Sequence, residues 1–196
     1  MLGKAWNVCR QPRQSSPLSW LDDACRVETA DVIAIRDSVR ALVSAVIPTG
    51  SIVFGGHPAI TPLIRLLVRG MTTDVRQHVI LYQSRFYEQR FPAEVAEFEA
   101  VRFVDAVGTD EAASLREMRR AMIGSQQFDA GIFLGGMDGV EREYEIFREM
   151  HPNKPAYPIA STGAAARILF NENSKDRVEL LTDLRYLSLF RRLLKF

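Results

Sequence analysis

The chain has 196 residues, with 25 basic and 24 acidic side chains, a formal net charge of +1, and hydrophobic and charged fractions of 47% and 25%. These are ordinary globular values, and a chain of this length forms one domain with a core that needs no staples. So even a charge provides no long-range positive field, so nucleic acid is not expected as a partner.

Residues 1–28 read as a polar lead-in with prolines at 12 and 17, and Ala5 to Val8 is a faint strand candidate. Cys9 and Cys25 are the only cysteines, with no C-x-x-C motif and no histidine at a metal-ligand spacing, which points to a reduced, cytoplasmic setting. The longest apolar runs fall short of the ~18–20 residues of a membrane span, and no signal layout opens the chain, so no transmembrane segment is expected. From Asp31, the residues Val32, Ile35, Val39, Leu42, Val43 and Val46 recur at helical spacing until Pro48-Thr49-Gly50.

Ser51 to Phe54 is a strand that stops at Gly55-Gly56-His57-Pro58. Thr61-Pro62 then reads as an N-cap and first helical proline, with Leu63, Leu66, Leu67 and Val68 inward. The next strand candidate is His78 to Tyr82, followed by a helix after Phe91-Pro92 with Val95 and Phe98 inward, and a short strand over Val101 to Val104. Thr109 is the expected cap of a helix ending before Gly124.

A second strand-to-glycine junction runs from Ala130 to Leu134 into Gly135-Gly136-Met137-Asp138-Gly139, and a helix follows to about Met150. A third runs from Tyr157 to Ala160 into Ser161-Thr162-Gly163, with a helix from Ala164 to Phe170. Asn171 to Lys175 reads as a loop and Arg177 to Phe196 as helical tail. Strands alternating with helices predict an α/β fold: a doubly wound, Rossmann-like, mostly parallel sheet with helices on both faces. The expected organisation is a lead-in over 1–28, the α/β domain over 29–172, and a tail over 173–196 packed on the domain or on a partner.

In such a sheet the strand-to-helix turns lie on one edge, where small ligands bind. Glycines let the backbone approach a phosphate, and the amides at a helix start favour an anion. Gly-Gly at a strand end is also a common tight turn, so each junction alone carries little.

The strings Val53 to Leu63 and Gly135 to Glu143 together resemble the SLOG superfamily, the Rossmann-like group that includes the DNA-processing protein DprA and the "lonely guy" phosphoribohydrolases. Thr29 to Asp37 and Tyr157 to Ala165 extend the likeness, which runs from about residue 27 to about residue 170. The stand-alone prokaryotic SLOG families of conflict and defence systems are the nearest resemblance. It implies a nucleotide ligand and a signalling role. Against the phosphoribohydrolase signature Pro-Gly-Gly-x-Gly-Thr-x-x-Glu, Leu134 replaces the proline, one extra residue separates the glycines, and Val140 replaces the threonine. Counted from Gly139, Glu143 falls at the signature glutamate; Arg85, in Tyr82-Gln83-Ser84-Arg85, is a loose counterpart of the catalytic arginine.

Glu143 also stands out without any family. On a wheel of about 100° per residue, Val140, Tyr144, Ile146, Phe147 and Met150 form one apolar arc, and Glu143 falls inside it while Glu141 and Glu145 face away. A carboxylate there needs a partner or water, which gives two readings: a ribose contact or general acid–base group, and a structural ion pair or dipole partner.

The candidate ligand contacts are Gly55, Gly56, Gly135, Gly136, Met137, Gly139, Ser161, Thr162 and Gly163, through amides and small hydroxyls. Asp138 is read as the cap of its helix or a ligand contact, and His57 as a phosphate donor or a solvated loop histidine. Gln83 and Ser84 close their strand, where they can face a base or ribose. The three histidines, at 57, 78 and 151, lack partners at useful spacing, so no metal site is expected. Walker A, G-x-G-x-x-G and G-x-S-x-G patterns are absent.

The leading reading is a nucleotide-binding sensor that recognises a nucleotide, an NAD-derived or a cyclic nucleotide signal, forms a homo-oligomer such as a dimer, and regulates a separate effector protein. No cofactor beyond that nucleotide is implied. The alternative is a phosphoribohydrolase that cleaves an N-glycosidic bond with Glu143 and Arg85; a third is an interaction domain with a degenerate pocket.

Overall fold

The computed structural model describes residues 29–71 and 76–195, and the expected lead-in, with the strand candidate at Ala5 to Val8, lies outside them. The elements are α1 (Val32–Val46), β1 (Ile52–Gly55), α2 (Thr61–Val68), β2 (Val79–Ser84), two 3-10 segments (Arg85–Arg90 and Ala93–Glu97), β3 (Ala100–Val104), α3 (Glu111–Ile123), β4 (Gly131–Leu134), α4 (Asp138–Met150), β5 (Ala156–Ile159), a 3-10 turn (Ala160–Thr162), α5 (Ala164–Asn173), α6 (Glu179–Thr182) and α7 (Tyr186–Leu194). Every strand pairing among the described residues is parallel, and helices pack on the strands, so the fold is α/β and Rossmann-like.

The chain divides into two compact units: Met1–Ser38 with Phe128–Phe196, and Val39–Gln127. In the second, β1, β2 and β3 lie in that order, with Phe54 opposite Leu81 and Leu81 opposite Val101. Val79 and Leu81 are fully buried, and Val95 and Phe98 close the core from the second 3-10 segment. In the first unit, β4 pairs with β5 and places Ile132 opposite Tyr157. Its centre is Ile159, Ala165, Leu180, Leu189 and Phe190.

Several local expectations are corrected. The cap of α2 is Ile60 rather than Thr61; Thr61 is its first residue, and its Oγ1 accepts the His57 N–H at 2.9 Å. That helix buries Ile64 and Val68, while Leu66 is 64% exposed. The proline-led run after Phe91 forms 3-10 geometry instead of an α-helix, preceded by a second such segment that the sequence pattern did not signal. Asp110, not Thr109, caps α3: its Oδ1 accepts the Ala113 N–H at 2.9 Å. Val32 is exposed although it fits the helical stripe, and α5 runs three residues beyond Phe170, into the expected loop.

The tail belongs to the first unit and is packed there. Tyr186, Leu189, Phe190 and Leu193 are the buried face of α7, and the Tyr157 hydroxyl donates to the Leu193 carbonyl at 3.3 Å. Arg191 and Arg192 face outward, and Asp183, held below the usual carboxylate range by the Arg185 N–H and the Arg192 guanidinium, neutralises part of that charge. No described helix is long and apolar enough to cross a membrane.

Candidate functional site

In the first unit the turns that leave β4 and β5 are locked together. Gly135 and Gly136 have φ of 50° and 81°, and Gly163 has φ of 75° with ψ of −162°. These are backbone states that glycine adopts without a Cβ penalty. At Gly163 a Cβ would fall onto the Thr29 carbonyl, and at Gly136 onto the Val140 side chain. Thr162, fully buried, accepts the Gly135 N–H through Oγ1 at 2.7 Å and donates the same hydroxyl to the Ile159 carbonyl at 2.6 Å. The Gly135 and Gly136 carbonyls in turn accept the Ala166 and Ala165 N–H groups, each at 3.0 Å.

The start of α1 joins the same junction. The Asp31 N–H donates to the Thr162 carbonyl at 3.2 Å, and the Ala164 N–H to Thr29 Oγ1 at 3.3 Å. The Asp31 carboxylate caps α1 by accepting the Ala34 N–H at 2.9 Å. The Gly135 amide and the Thr162 hydroxyl, two of the expected ligand groups, are therefore committed to the fold. Of the first-turn amides of α4, that of Val140 donates to the Met137 carbonyl at 2.9 Å.

Asp138 does not cap α4. The N-cap is Met137, extended and without a side-chain cap bond, and Asp138 is the first helical residue, only 3% exposed. A carboxylate in that turn is favoured by the positive end of the helix dipole. Glu143 is half-buried, along the helix between buried Val140 and Phe147. Glu141 is half-buried rather than solvent-facing, and Met150 is 37% exposed at the helix end instead of completing the apolar arc.

Ser161 pairs its hydroxyl with that of Tyr186 at 3.1 Å. Burial pushes the Tyr186 phenol up, against the opposing pull of the Ser161 bond. Tyr186 escaped the sequence reading because it sits among apolar residues of the tail. The available signal was chemical: a tyrosine on the buried face of a helix needs a partner for its hydroxyl.

The second unit carries Gly55, Gly56, His57, Gln83, Ser84 and Arg85. Gly56 extends the β1–β2 ladder one step past its register by donating its N–H to the Tyr82 carbonyl at 2.8 Å. His57 is 4% exposed, not a solvated loop residue. Its Nδ1 accepts the Ala59 N–H at 3.1 Å, which puts the proton of a neutral ring on Nε2. Ser84 Oγ accepts the Phe86 N–H at 3.4 Å and so opens the first 3-10 segment. Arg85 pairs with Glu88 and, at 3.3 Å, with Asp105, and its guanidinium lies 5.0 Å from the Phe103 ring centroid. Arg85 and Glu143 belong to different units, and Arg85 is held by two carboxylates in its own. Among the described residues no group of three or more His, Cys, Asp or Glu side chains is placed to hold a metal ion.

Parallel strands that end in glycine turns, each followed directly by a helix, define a protein of the Rossmann-like α/β class. Within that class the chain belongs to the SLOG cluster3 family, whose family model matches residues 26–194. No curated protein and no solved structure matches it.

Proposed function

We propose that this SLOG cluster3 protein is a nucleotide-binding sensor, which takes up a nucleotide, an NAD-derived or a cyclic nucleotide signal and thereby changes its association with itself or with a separate effector. The observation that carries the reading is the junction of the β4 and β5 turns. Glycines in left-handed geometry bring the main chain to the carboxyl ends of two adjacent parallel strands, and Thr162 holds the two turns in register. That edge is where α/β sheets bind phosphorylated ligands, and the start of α4, which carries Asp138, suits a strongly polar, uncharged group of such a ligand. The contacts we assign in this unit are Gly136, Met137, Asp138, Gly139, Glu143, Ser161 and Gly163. Asp138, a carboxylate at the helix start, disfavours a phosphate directly on that turn and suits a ribose hydroxyl as donor to it.

Mass spectrometry of the purified protein tests the reading, followed by thermal melts with nucleoside mono-, di- and triphosphates, NAD-type dinucleotides and cyclic dinucleotides. A ligand at 100 times its Kd stabilises the folded state by about 2.7 kcal/mol. In a chain of this length that raises Tm by roughly 5–10 °C. A protein that carries no nucleotide and whose Tm moves with none of these compounds overturns the proposal. Light scattering with and without the stabilising compound reads the change in association.

A further inference from the structure

The two helices that start at the edge formed by β4 and β5 differ in charge. The first turn of α4 carries Asp138 and Glu141, whereas that of α5 has no acidic residue. The opening amides of α5 are spent inside the fold. That of Ala164 donates to Thr29 Oγ1, and those of Ala165 and Ala166 donate to the Gly136 and Gly135 carbonyls. An anion at the β5 turn therefore has to be held by side chains. Arg167, exposed on the first turn of α5, donates its Nε–H to the Ala160 carbonyl at 3.2 Å. Ser161, the next residue along the turn, pairs its hydroxyl with that of Tyr186 at 3.1 Å.

The Nε–H bond fixes the guanidinium at the carboxyl end of β5 and leaves its terminal nitrogens, which have no carboxylate partner among the described residues. The carboxylates near Tyr186 are engaged, Asp31 by the Ala34 N–H and Asp37 by Arg36. The hydroxyl pair holds two O–H groups and uses one between them, so the second has no acceptor among the described residues. Tyr186 is 5% exposed and Ser161 half-buried. The arrangement that strands no buried donor has the phenol donating and the serine proton left for an incoming acceptor. Ala160 and Ser161 share a peptide bond, which keeps Ser161 Oγ and Arg167 Nε within about 8 Å of each other. A phosphate that accepts through two of its oxygens bridges donors about 8 Å apart. Guanidinium is the side chain best matched to such a group. We infer that Arg167 and Ser161 hold a phosphate of the ligand at the β5 turn, with Tyr186 orienting the serine hydroxyl. The inference rests on the nucleotide-binding reading above and adds which side chains take the phosphate, on the turn that lacks Asp138.

The test is calorimetric titration of the full chain with AMP, ATP, GTP, UTP, NAD and cyclic di-AMP, each against its phosphate-free parent, adenosine, guanosine or uridine. Wild type is compared with Arg167→Gln and Ser161→Ala. Arg167→Gln removes the charge at an exposed position and keeps an N–H donor for the Ala160 carbonyl. Ser161→Ala removes the hydroxyl that Tyr186 orients.

At least one phosphate-bearing compound is expected to bind wild type about tenfold or more tightly than its parent nucleoside. Arg167→Gln should lose about tenfold or more of that advantage and Ser161→Ala about threefold or more, with nucleoside affinity unchanged in both. A phosphate advantage that persists in either variant overturns the inference and leaves the nucleotide reading standing. Nucleoside affinity that falls in step with nucleotide affinity does the same, as does a wild type that binds nucleosides as tightly as every phosphate-bearing compound. Binding of none of these compounds overturns both. Should Ser161→Ala fail to fold, Arg167→Gln decides alone.

Discussion

Replacing Thr162 by valine removes one hydroxyl and changes almost nothing in shape. The hydroxyl is fully buried and makes two short bonds, accepting from the Gly135 N–H at 2.7 Å and donating to the Ile159 carbonyl at 2.6 Å. A buried donor left without an acceptor costs about 1–3 kcal/mol, and the lost partner of the carbonyl adds about 1 kcal/mol. The expected loss is roughly 2–4 kcal/mol, a large share of the 5–15 kcal/mol that typically holds a domain together. In Tm this is a fall of roughly 5–15 °C. Urea titration followed by circular dichroism measures it, with an unchanged m-value showing that the denatured state is the same. Thr162→Ser separates the two contributions of the side chain. It keeps both bonds and drops one buried methyl, at a cost of about 1 kcal/mol. The order of stability is therefore wild type, serine, valine. A serine variant as unstable as the valine variant, or less stable than it, would show that methyl packing and not the hydroxyl joins the two turns, and the reasoning would fail.

Gly163→Ala is expected to be more damaging than any alanine substitution at an exposed glycine. Its φ of 75° and ψ of −162° suit glycine almost alone, and the new Cβ meets the Thr29 carbonyl, which is backbone and cannot swing away. Little folded protein in soluble expression is the expected result, and a Tm near that of wild type would contradict it. Tyr87 has its phenol pushed up to about 12 by burial first and by the hydrogen bond and charge of Glu111. The folded state thus holds this proton more tightly than the unfolded chain does. The stabilisation is complete below the unfolded value of about 10, and it is lost as pH rises towards 12. Tyr87→Phe should flatten the fall in urea midpoint over that window; an unaltered slope would assign it to other groups. Incubation with nucleoside monophosphates should leave the N-glycosidic bond intact, as a sensor would. Release of free base that Glu143→Gln abolishes would instead assign a phosphoribohydrolase.

The layered α/β class and the strand–turn–helix junctions were legible because their signals are local. β-branched runs end at glycines, and helical stripes begin directly after them. Cap positions were read less well, since Thr61, Thr109 and Asp138 compete with neighbours one residue away: the structure caps with Ile60, Asp110 and Met137. The 3-10 segments at Arg85–Arg90 and Ala93–Glu97 have no periodicity of their own and are set by Ser84, Pro92 and the packing of Val95 and Phe98. At the site, the wheel gave the buried stripe of Val140, Tyr144, Ile146 and Phe147 because a helix fixes azimuth, but it does not separate Glu143 from Glu141, which are half-buried alike. The commitment of Thr162 to Gly135, of Ser161 to Tyr186 and of Gln83 to the face of Gly56 depends on contacts between residues 25 to 27 positions apart. No periodicity encodes those.

The last helix changes how the C-terminal boundary should be drawn. Leu189 and Phe190 are fully enclosed, and the Tyr157 and Tyr186 hydroxyls stitch the tail to β5 and to Ser161. A truncation after residue 172 would not trim an appendage; it would remove Leu180, Leu189 and Phe190 from the core that holds Ile159 and expose a hydrophobic face to aggregation. Fragments meant to carry this fold need the chain through Leu194.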